Sequence, residues 1–456
     1  MSKKVLLLHC PGDKVYLHDY YTSYSSKANY YWPPTDLVLL SGVLSGFELR
    51  VIDAIADRLS AGECEKKILE FSPDAVIFTT GTATWENDIR FITALKPKLR
   101  SKILASGSMF LFEAGYFLNA APAVDAVILD MVSPEIAAFI AGEEKECRAL
   151  AFRDAEVQSA PPARKDQNII IPVPRHELFN LAANRSPLAR KKPFALVITS
   201  VGCPFTCRFC VAGSIRYRYR NTDSIMEELG KLRDMGVPEI MFNDPTFTVS
   251  EKRILDLCRK MAAAGMNFSW SANAHVATVS DEMMDAMSRA GCHTVMIGVE
   301  SAQDEILAGA AKHTTRDKIR DAFRICRKHG IQTLAYFIIG LPGDTRRSIL
   351  ETIRFAKELD CDFASFTVLT PDIGSALRRE AIEKGILDPA IRIFDSTCFP
   401  VFTAGDLSME EIWELRQKAV RDFYLRPSYL VKKILGIRSV KDLLFLIDQA
   451  RSMFLK

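Results

Sequence analysis

Three cysteines lie close together in the segment VGCPFTCRFC, at Cys203, Cys207 and Cys210. Their C-x3-C-x2-C spacing places three thiolates on one short loop, where they can bind three irons of a [4Fe–4S] cubane and leave the fourth iron open. The open iron could chelate a substrate or cofactor. A closed four-thiolate cluster or a zinc site needs a fourth ligand, and no His or Cys follows within the next forty residues. On spacing alone, a zinc site completed by a distant cysteine or an accidental cluster stays open.

The elements around this loop predict a parallel barrel. Apolar strand patterns alternate with helices that begin at a capping Ser or Thr and end at a glycine, as in the segment from Ser250 to Gly265. Six such units predict a partly open (β/α)6 barrel, whose chemistry lies at the carboxyl ends of its strands. The predicted strands are Ala195–Ser200, Val237–Phe242, Asn267–Ser271, His293–Val299, Ile331–Ile339 and Phe363–Leu369.

The N-terminal third alternates in the same way and predicts a doubly wound, Rossmann-like α/β domain over residues 1–142. A polar, proline-punctuated connector is expected over 143–194, the barrel over 195–400 and a C-terminal helical region over 401–456. The five predicted N-terminal strands are Val5–Cys10, Leu49–Ala54, Ala75–Thr80, Lys102–Ala105 and Ala126–Leu129.

The composition narrows the class of protein. The 456 residues carry a net charge of +3, so the charge balance neither demands nor excludes an anionic partner. The chain shows no apolar stretch of transmembrane length and no signal-peptide core, so we expect a cytoplasmic protein. Eleven cysteines, an odd number spread through a long chain, do not predict a disulfide framework.

With an aromatic residue, Phe209, before its last cysteine, the loop resembles the signature of the radical S-adenosylmethionine (SAM) superfamily. EIMFNDPTF (239–247), HTVMIGVES (293–301), YFIIGLPGDT (336–345) and RYRYRNT (216–222) resemble further segments of that superfamily in the same order. By this resemblance Asp244 would accept a hydrogen bond from the SAM ammonium group, and Arg218 or Arg220 would meet its carboxylate. The other implied SAM contacts are Phe209, Glu300, Ser301 and Gly340.

The N-terminal domain resembles the cobalamin-binding domain that precedes the barrel in many radical SAM enzymes. The resemblance rests on an HCPG strand end, on YWPPTDLVLLSGVL and FELRVIDA, and on IIIPVPRHELFN before the cysteine loop. It implies bound cobalamin, with contacts from Thr80 and Gly107. Three departures are LASGSMF in place of a Gly-Gly pair, ILDMVSPE in place of a Gly-Glu pair, and His275 near the position of an arginine. There is no Asp-x-His-x-x-Gly motif, so no histidine ligand to cobalt is expected.

The resemblance implies an enzyme that cleaves SAM reductively at a [4Fe–4S] cluster. The favoured activity is cobalamin-dependent methyl transfer to an unactivated carbon of a small or lipid-like substrate, with electrons from a reductase, flavodoxin or ferredoxin. The alternatives are an oxidative or cyclising radical SAM enzyme, similar to the anaerobic oxidative cyclase, and a non-catalytic metal-binding protein. No nucleic-acid partner is expected. The basic tail could contact a membrane surface, although a docking helix is favoured.

Overall fold

The computed structural model describes residues 2–19, 21–27, 29–143, 147–153, 168–435 and 447. The N-terminal part forms a six-stranded sheet in the order β4-β1-β5-β6-β7-β8, parallel except for β8, and a separate two-stranded hairpin of β2 and β3. Its strands are β1 (Lys4–His9), β2 (Tyr16–Asp19), β3 (Thr22–Ser25), β4 (Glu48–Asp53), β5 (Ala75–Thr79), β6 (Lys102–Ser106), β7 (Ala126–Ile128) and β8 (Leu150–Phe152).

All five predicted strands of this sheet are present, each within about one residue of its predicted bounds. Strands β1 and β5 are buried along nearly their whole length because helices cover the faces of the sheet. The antiparallel strand β8 falls inside the stretch predicted as a connector, and the hairpin was not predicted. The helices of this part are α1 (Thr35–Val43), α2 (Ala61–Phe71), α3 (Trp85–Leu95), α4 (Phe110–Ala120) and α5 (Glu135–Ala141).

The second sheet holds six parallel strands in the order β16-β15-β14-β13-β12-β9, so the barrel stays open between β9 and β16. This confirms the partial (β/α)6 fold. A short antiparallel pair, β10 with β11, flanks the cysteine loop. The strands are β9 (Phe194–Val197), β10 (Ser200–Val201), β11 (Arg218–Tyr219), β12 (Glu239–Phe242), β13 (Ser269–His275), β14 (Cys292–Glu300), β15 (Gln332–Ile339) and β16 (Phe363–Val368).

Most of the helices around the barrel begin with the capping hydrogen bonds that the sequence predicts. The side chains of Ser250, Ser280 and Thr315 each accept from the backbone three residues later. The helices are α6 (Thr222–Asp234), α7 (Glu251–Ala263), α8 (Asp281–Arg289), α9 (Asp304–Gly309), α10 (Arg316–Lys328), α11 (Arg346–Glu358), α12 (Ala376–Glu383), α13 (Met409–Tyr424) and α14 (Pro427–Leu435).

The C-terminal helix α13 covers one edge of the open sheet. It buries Ile412, Leu415 and Phe423 in the barrel core. The Tyr424 hydroxyl accepts from the Ala364 amide at 3.1 Å and donates to the Ala364 carbonyl at 2.6 Å, so it satisfies backbone groups of the edge strand β16. This agrees with the predicted docking helix. Residues 436–446 and 448–456 of the basic tail lie outside the described residues.

The two sheets share an apolar core. Residues Thr35 to Gly42 of α1 are all buried, and Leu37 belongs to the same cluster as Leu196, Met241 and Met296 of the barrel strands. Apolar contacts with the first domain therefore close part of the barrel interior. Of the helices that the structure describes, none is long and apolar enough to cross a bilayer.

Candidate active site

The three cysteines lie on one compact loop between β10 and β11. The Cys203 amide donates to the Ala212 carbonyl at 3.0 Å, and the Cys210 amide donates to the Cys207 carbonyl at 3.0 Å. Cys207 is buried, and the other two cysteines are half-buried. The backbone of the loop therefore closes on itself and holds the three thiols near one another.

The chemistry of these thiols fits a cluster. Burial, together with negative charge on Cys207 and Cys203, raises the pKa of Cys210 to about 12. Bound iron would lower the pKa of these thiols, because metal cations stabilise thiolates. Among the described residues no three His, Cys, Asp or Glu side chains converge on a single ion. A cubane does not require this, since each thiolate binds a different iron.

Glycines allow the tight path of the loop. Gly202 has a φ of 76°, and a Cβ there would lie 2.4 Å from the carbonyl oxygens of both Ile215 and Arg216. Its amide donates to the Tyr21 hydroxyl at 2.7 Å, so the loop is also tied to the N-terminal hairpin.

We expect Gly202→Ala to disrupt the cluster loop. The left-handed backbone alone costs about 1–3 kcal/mol for a residue with a side chain, and the clash with two carbonyls adds to it. Iron content after anaerobic reconstitution should fall well below that of the wild type, together with the midpoint of thermal unfolding.

Gly46→Ala is the matched control, because a Cβ at Gly46 has no atom within 4 Å. It should leave iron content and the unfolding midpoint unchanged. Full iron content in Gly202→Ala would contradict the tight-loop interpretation.

Asp244 lies at the end of β12, as predicted, but its carboxylate faces the start of the cysteine loop. It is fully buried, and it accepts from the Thr199 amide at 2.6 Å, the Ser200 amide at 3.1 Å and the Thr199 hydroxyl. Both carboxylate oxygens therefore hold this loop in position, and the hydrogen bond from the SAM ammonium group to Asp244 stays a prediction.

The two candidate arginines are also engaged elsewhere. Arg218 forms a bidentate pair with Asp130 of the first domain, at 2.8 and 2.9 Å. Arg220 is fully buried and pairs with Glu228, and its guanidinium also donates to Ser224 and to the Ile198 carbonyl. These protein partners hold both guanidinium groups, and the contact of either side chain with the SAM carboxylate stays a prediction.

The ends of β14 and β15 carry the remaining predicted SAM contacts. Glu300 adopts a φ of 65° and accepts from Lys312 Nζ at 2.8 Å. The Ser301 hydroxyl accepts from the Gln303 amide at 3.2 Å, so it begins the turn into α9. Gly340 has no side chain, and the side chain of Ile412 in α13 packs against it. A Cβ added to Gly340 would lie 3.0 Å from Ile412 Cδ1.

Three neighbours of the loop were not predicted as contacts. The Thr246 hydroxyl lies 3.5 Å from Cys203 Sγ, and its place two residues after Asp244 in the same motif was a usable signal. Burial raises the pKa of Cys207, and the Lys312 ammonium opposes that rise. The His275 ring stacks on Phe205 at 3.8 Å. No local signal marked Lys312, because it reaches the loop only through the fold.

A crevice separates the cysteine loop from the carboxyl edge of the first sheet. It consists of two adjoining cavities that share Thr22, Ser23, Thr82 and Asp372. Burial raises the pKa of Asp372 to about 7. The crevice brings together the cysteine loop, the first sheet and the ends of β15 and β16. Further lining residues are Thr80, Gly81, Ser108, Phe209, Cys210, Ile338, Thr367 and Leu369.

Small and hydroxyl side chains line the first-sheet side of this crevice. Thr80 lines it directly, and a Cβ on Gly107 would lie 2.4 Å from the Thr80 carbonyl. The two predicted cobalamin contacts therefore lie together at the sheet edge. The hydroxyl groups offer hydrogen bonds to the polar rim of a corrinoid. The cavity beside Thr80 has a volume of only about 20 Å³, so it does not hold the whole ring in this structure.

The sequence of the chain is similar to that of known proteins. The Radical SAM superfamily matches residues 197–356. The chain is 32% identical over 416 residues to the "uncharacterized methyltransferase PH0819" of Pyrococcus horikoshii, covering 88% of this chain and 90% of the relative. It is 26% identical to the anaerobic magnesium-protoporphyrin IX monomethyl ester cyclase of Cereibacter sphaeroides, over 91% of this chain and 70% of the relative.

A solved structure supports the fold. OxsB, a cobalamin-dependent SAM radical enzyme solved with aqua-cobalamin and SAM, superposes with a TM-score of 0.72 at 15% identity. The superposition covers 100% of this chain and 72% of that chain. At this identity the likeness establishes the two-domain fold and not the ligands.

Proposed function

This chain belongs to the radical SAM enzymes whose barrel follows a cobalamin-binding-type domain, and from that premise we propose that it is a cobalamin-dependent methyltransferase acting on an unactivated carbon of a small molecule. The observation that carries the proposal is the crevice, since one cavity is lined both by Cys210 and Phe209 of the cluster loop and by Thr82 of the first sheet. A corrinoid at the sheet edge would face the cluster across the substrate.

Different residues of the chain would hold the different cofactors. Cys203, Cys207 and Cys210 would hold a [4Fe–4S] cluster, which supplies the electron that cleaves SAM, and cobalamin would supply a transferable methyl group. Phe209 offers the adenosyl group an apolar wall, and Glu300 with Lys312 sets the charge beside the cluster loop. Thr80 and Gly107 would contact the corrinoid.

The relatives favour methyl transfer over the alternatives. The Pyrococcus horikoshii relative covers nearly the whole chain and is named a methyltransferase. The cyclase relative covers a similar share of this chain at lower identity, so an oxidative or cyclising reaction is the less supported candidate. We propose a flavodoxin- or ferredoxin-type electron donor, as in the sequence-based prediction.

The metal content tests this proposal. After anaerobic purification from cells supplied with cobalamin, we expect about four irons, about four sulfides and one cobalt per chain, with no stoichiometric zinc. Incubation of the protein with SAM carrying a deuterated methyl group and a reductant should yield 5′-deoxyadenosine and a deuterated methylcobalamin, identified by mass spectrometry.

Each contrary result removes a different part of the proposal. Zinc without sulfide would overturn the enzyme itself. Four irons without cobalt, even after reconstitution, would overturn cobalamin-dependent methyl transfer and leave a cobalamin-independent radical SAM reaction. The absence of labelled methylcobalamin from protein that does hold cobalt would favour the oxidative or cyclising reaction.

A further inference from the structure

The segment after the N-terminal hairpin carries a lysine onto the inner face of the barrel. Lys27 Nζ donates to Ser365 Oγ at 3.3 Å and to the Phe366 carbonyl at 3.5 Å. Side chains alternate along a strand, so Ser365 and Thr367 of β16 share a face, while Phe366 packs into the core on the other. Because Thr367 lines the crevice, the Lys27 ammonium lies on the crevice face of the strand.

A second cation meets Lys27 at the same backbone atom. Arg416 of α13 donates through Nε to the Phe366 carbonyl at 3.3 Å, and its guanidinium lies 5.1 Å from the centre of the Trp413 ring. Two cations thus converge on one carbonyl oxygen. Burial and the charge of Arg416 together lower the pKa of Lys27 to about 7, against an opposing effect of Asp395.

No carboxylate in the described part of the chain balances this pair, since none lies within 4.0 Å of either cation. The charge of Asp395 raises the pKa of Lys27, but both of its carboxylate oxygens accept hydrogen bonds from other residues. One of its oxygens accepts from the amide and hydroxyl of Ser25, and the other accepts from the amide and hydroxyl of Thr397. Residues on either side of Asp395, Phe394 and Ser396, line the crevice. The face of β16 beside the crevice therefore holds two cations whose charge the protein offsets only in part.

We infer that Lys27 and Arg416 bind an oxyanion, a carboxylate or phosphate, of the substrate. The Nη groups of Arg416 donate to no residue that the structure describes, and a guanidinium fork matches such a group bidentately. Ser365 is one same-face step from Thr367, about 7 Å along the strand, so the anionic group lies below the part of the crevice that Thr367 lines. This inference rests on the proposed function, because it describes the substrate of the same crevice.

The residues come from three distant parts of the chain. Lys27 belongs to the first domain, Ser365 to the barrel and Arg416 to the C-terminal helix. An anionic group held there would be bound by all three parts at once. Its negative charge would offset the repulsion between the two cations, and this favours the charged form of Lys27.

Equilibrium dialysis on the cluster-loaded full chain tests the inference. The probes are radiolabelled inorganic phosphate, acetate and acetamide in a buffer of low ionic strength. We expect the wild type to bind phosphate or acetate but not the uncharged acetamide. Lys27→Gln and Arg416→Gln should each weaken that binding about tenfold or more, because each removes a charge-assisted donor. Lys27→Arg, which keeps the charge, should retain most of it.

Lys418→Gln is the matched control, since Lys418 lies on the same helix but pairs with Asp422. It should bind the probes as the wild type does. Preference for phosphate would indicate a phosphorylated substrate, and preference for acetate a carboxylic acid. Binding of neither anion, or equal binding by Lys27→Gln, Arg416→Gln and the wild type, would overturn the inference. Dialysis needs no turnover, so anion binding without 5′-deoxyadenosine formation would overturn only the proposed function.

Discussion

A Cys207→Ala variant is expected to lose its [4Fe–4S] cluster and with it all reductive cleavage of SAM. Cys207 is the middle ligand of the loop and the most buried of the three, and two thiolates cannot hold three irons of a cubane. Iron and sulfide per chain should fall to a small fraction of the wild-type values. The 5′-deoxyadenosine yield should fall to the background measured without reductant.

The control for this variant is Cys398→Ala, which removes an exposed cysteine from outside the loop. It should leave iron content and 5′-deoxyadenosine formation unchanged. A Cys207→Ala protein that still forms 5′-deoxyadenosine above background would show that the cluster has been assigned to the wrong residues.

An Arg220→Met variant is expected to lose stability rather than cofactor affinity. Arg220 and Glu228 are at most 1% exposed, and His176 lies 2.8 Å from the same carboxylate. Burial raises the pKa of Glu228, but Arg220 and His176 outweigh it and the net pKa is lowered. Removing the arginine leaves a buried carboxylate without its main partner, which costs about 3–5 kcal/mol in unfolding free energy. Denaturant unfolding of the cluster-free chain measures this loss.

A second substitution distinguishes the energy of the Arg220–Glu228 ion pair from the effects of its surroundings. Arg220→Met with Glu228→Leu removes both charges, so it should be less destabilised than the sum of the two single variants. Arg324→Gln, which breaks an exposed pair with Asp321, should leave the unfolding midpoint almost unchanged. Near-native stability of Arg220→Met combined with a weakened affinity for SAM would support the role first predicted for Arg220.

Much of the fold could be predicted because its signals are local. Apolar runs of strand length, capping residues and terminal glycines lie within a few residues of the elements they define, and the six strands of the barrel were found where these patterns placed them. Strand β8 was missed because it is three residues long and follows a polar stretch. The hairpin was missed because each of its strands has only four residues.

The roles of single side chains were harder to predict, and the arginines show why. RYRYRNT presents three arginines in one short segment, and nothing in that segment distinguishes a ligand contact from a buried ion pair. Arg218 pairs with Asp130, 88 residues away, and Arg220 pairs with Glu228, whose carboxylate also contacts the connector residue His176. Asp244 was predicted at the correct strand end, but nothing in its own segment indicated its hydrogen bonds with Thr199 and Ser200.

The sequence by itself predicted the candidate cluster ligands, and it determined the order of the two α/β parts. Both depend on residues near one another in the chain, where spacing fixes which groups can share a loop or a face. Only the tertiary structure decided which side chains lie in and beside the crevice. Lys27 contacts Ser365 across 338 residues, and Tyr21 holds Gly202 across 181. Such contacts follow from how two sheets pack around a shared core, and local patterns carry no information about that packing.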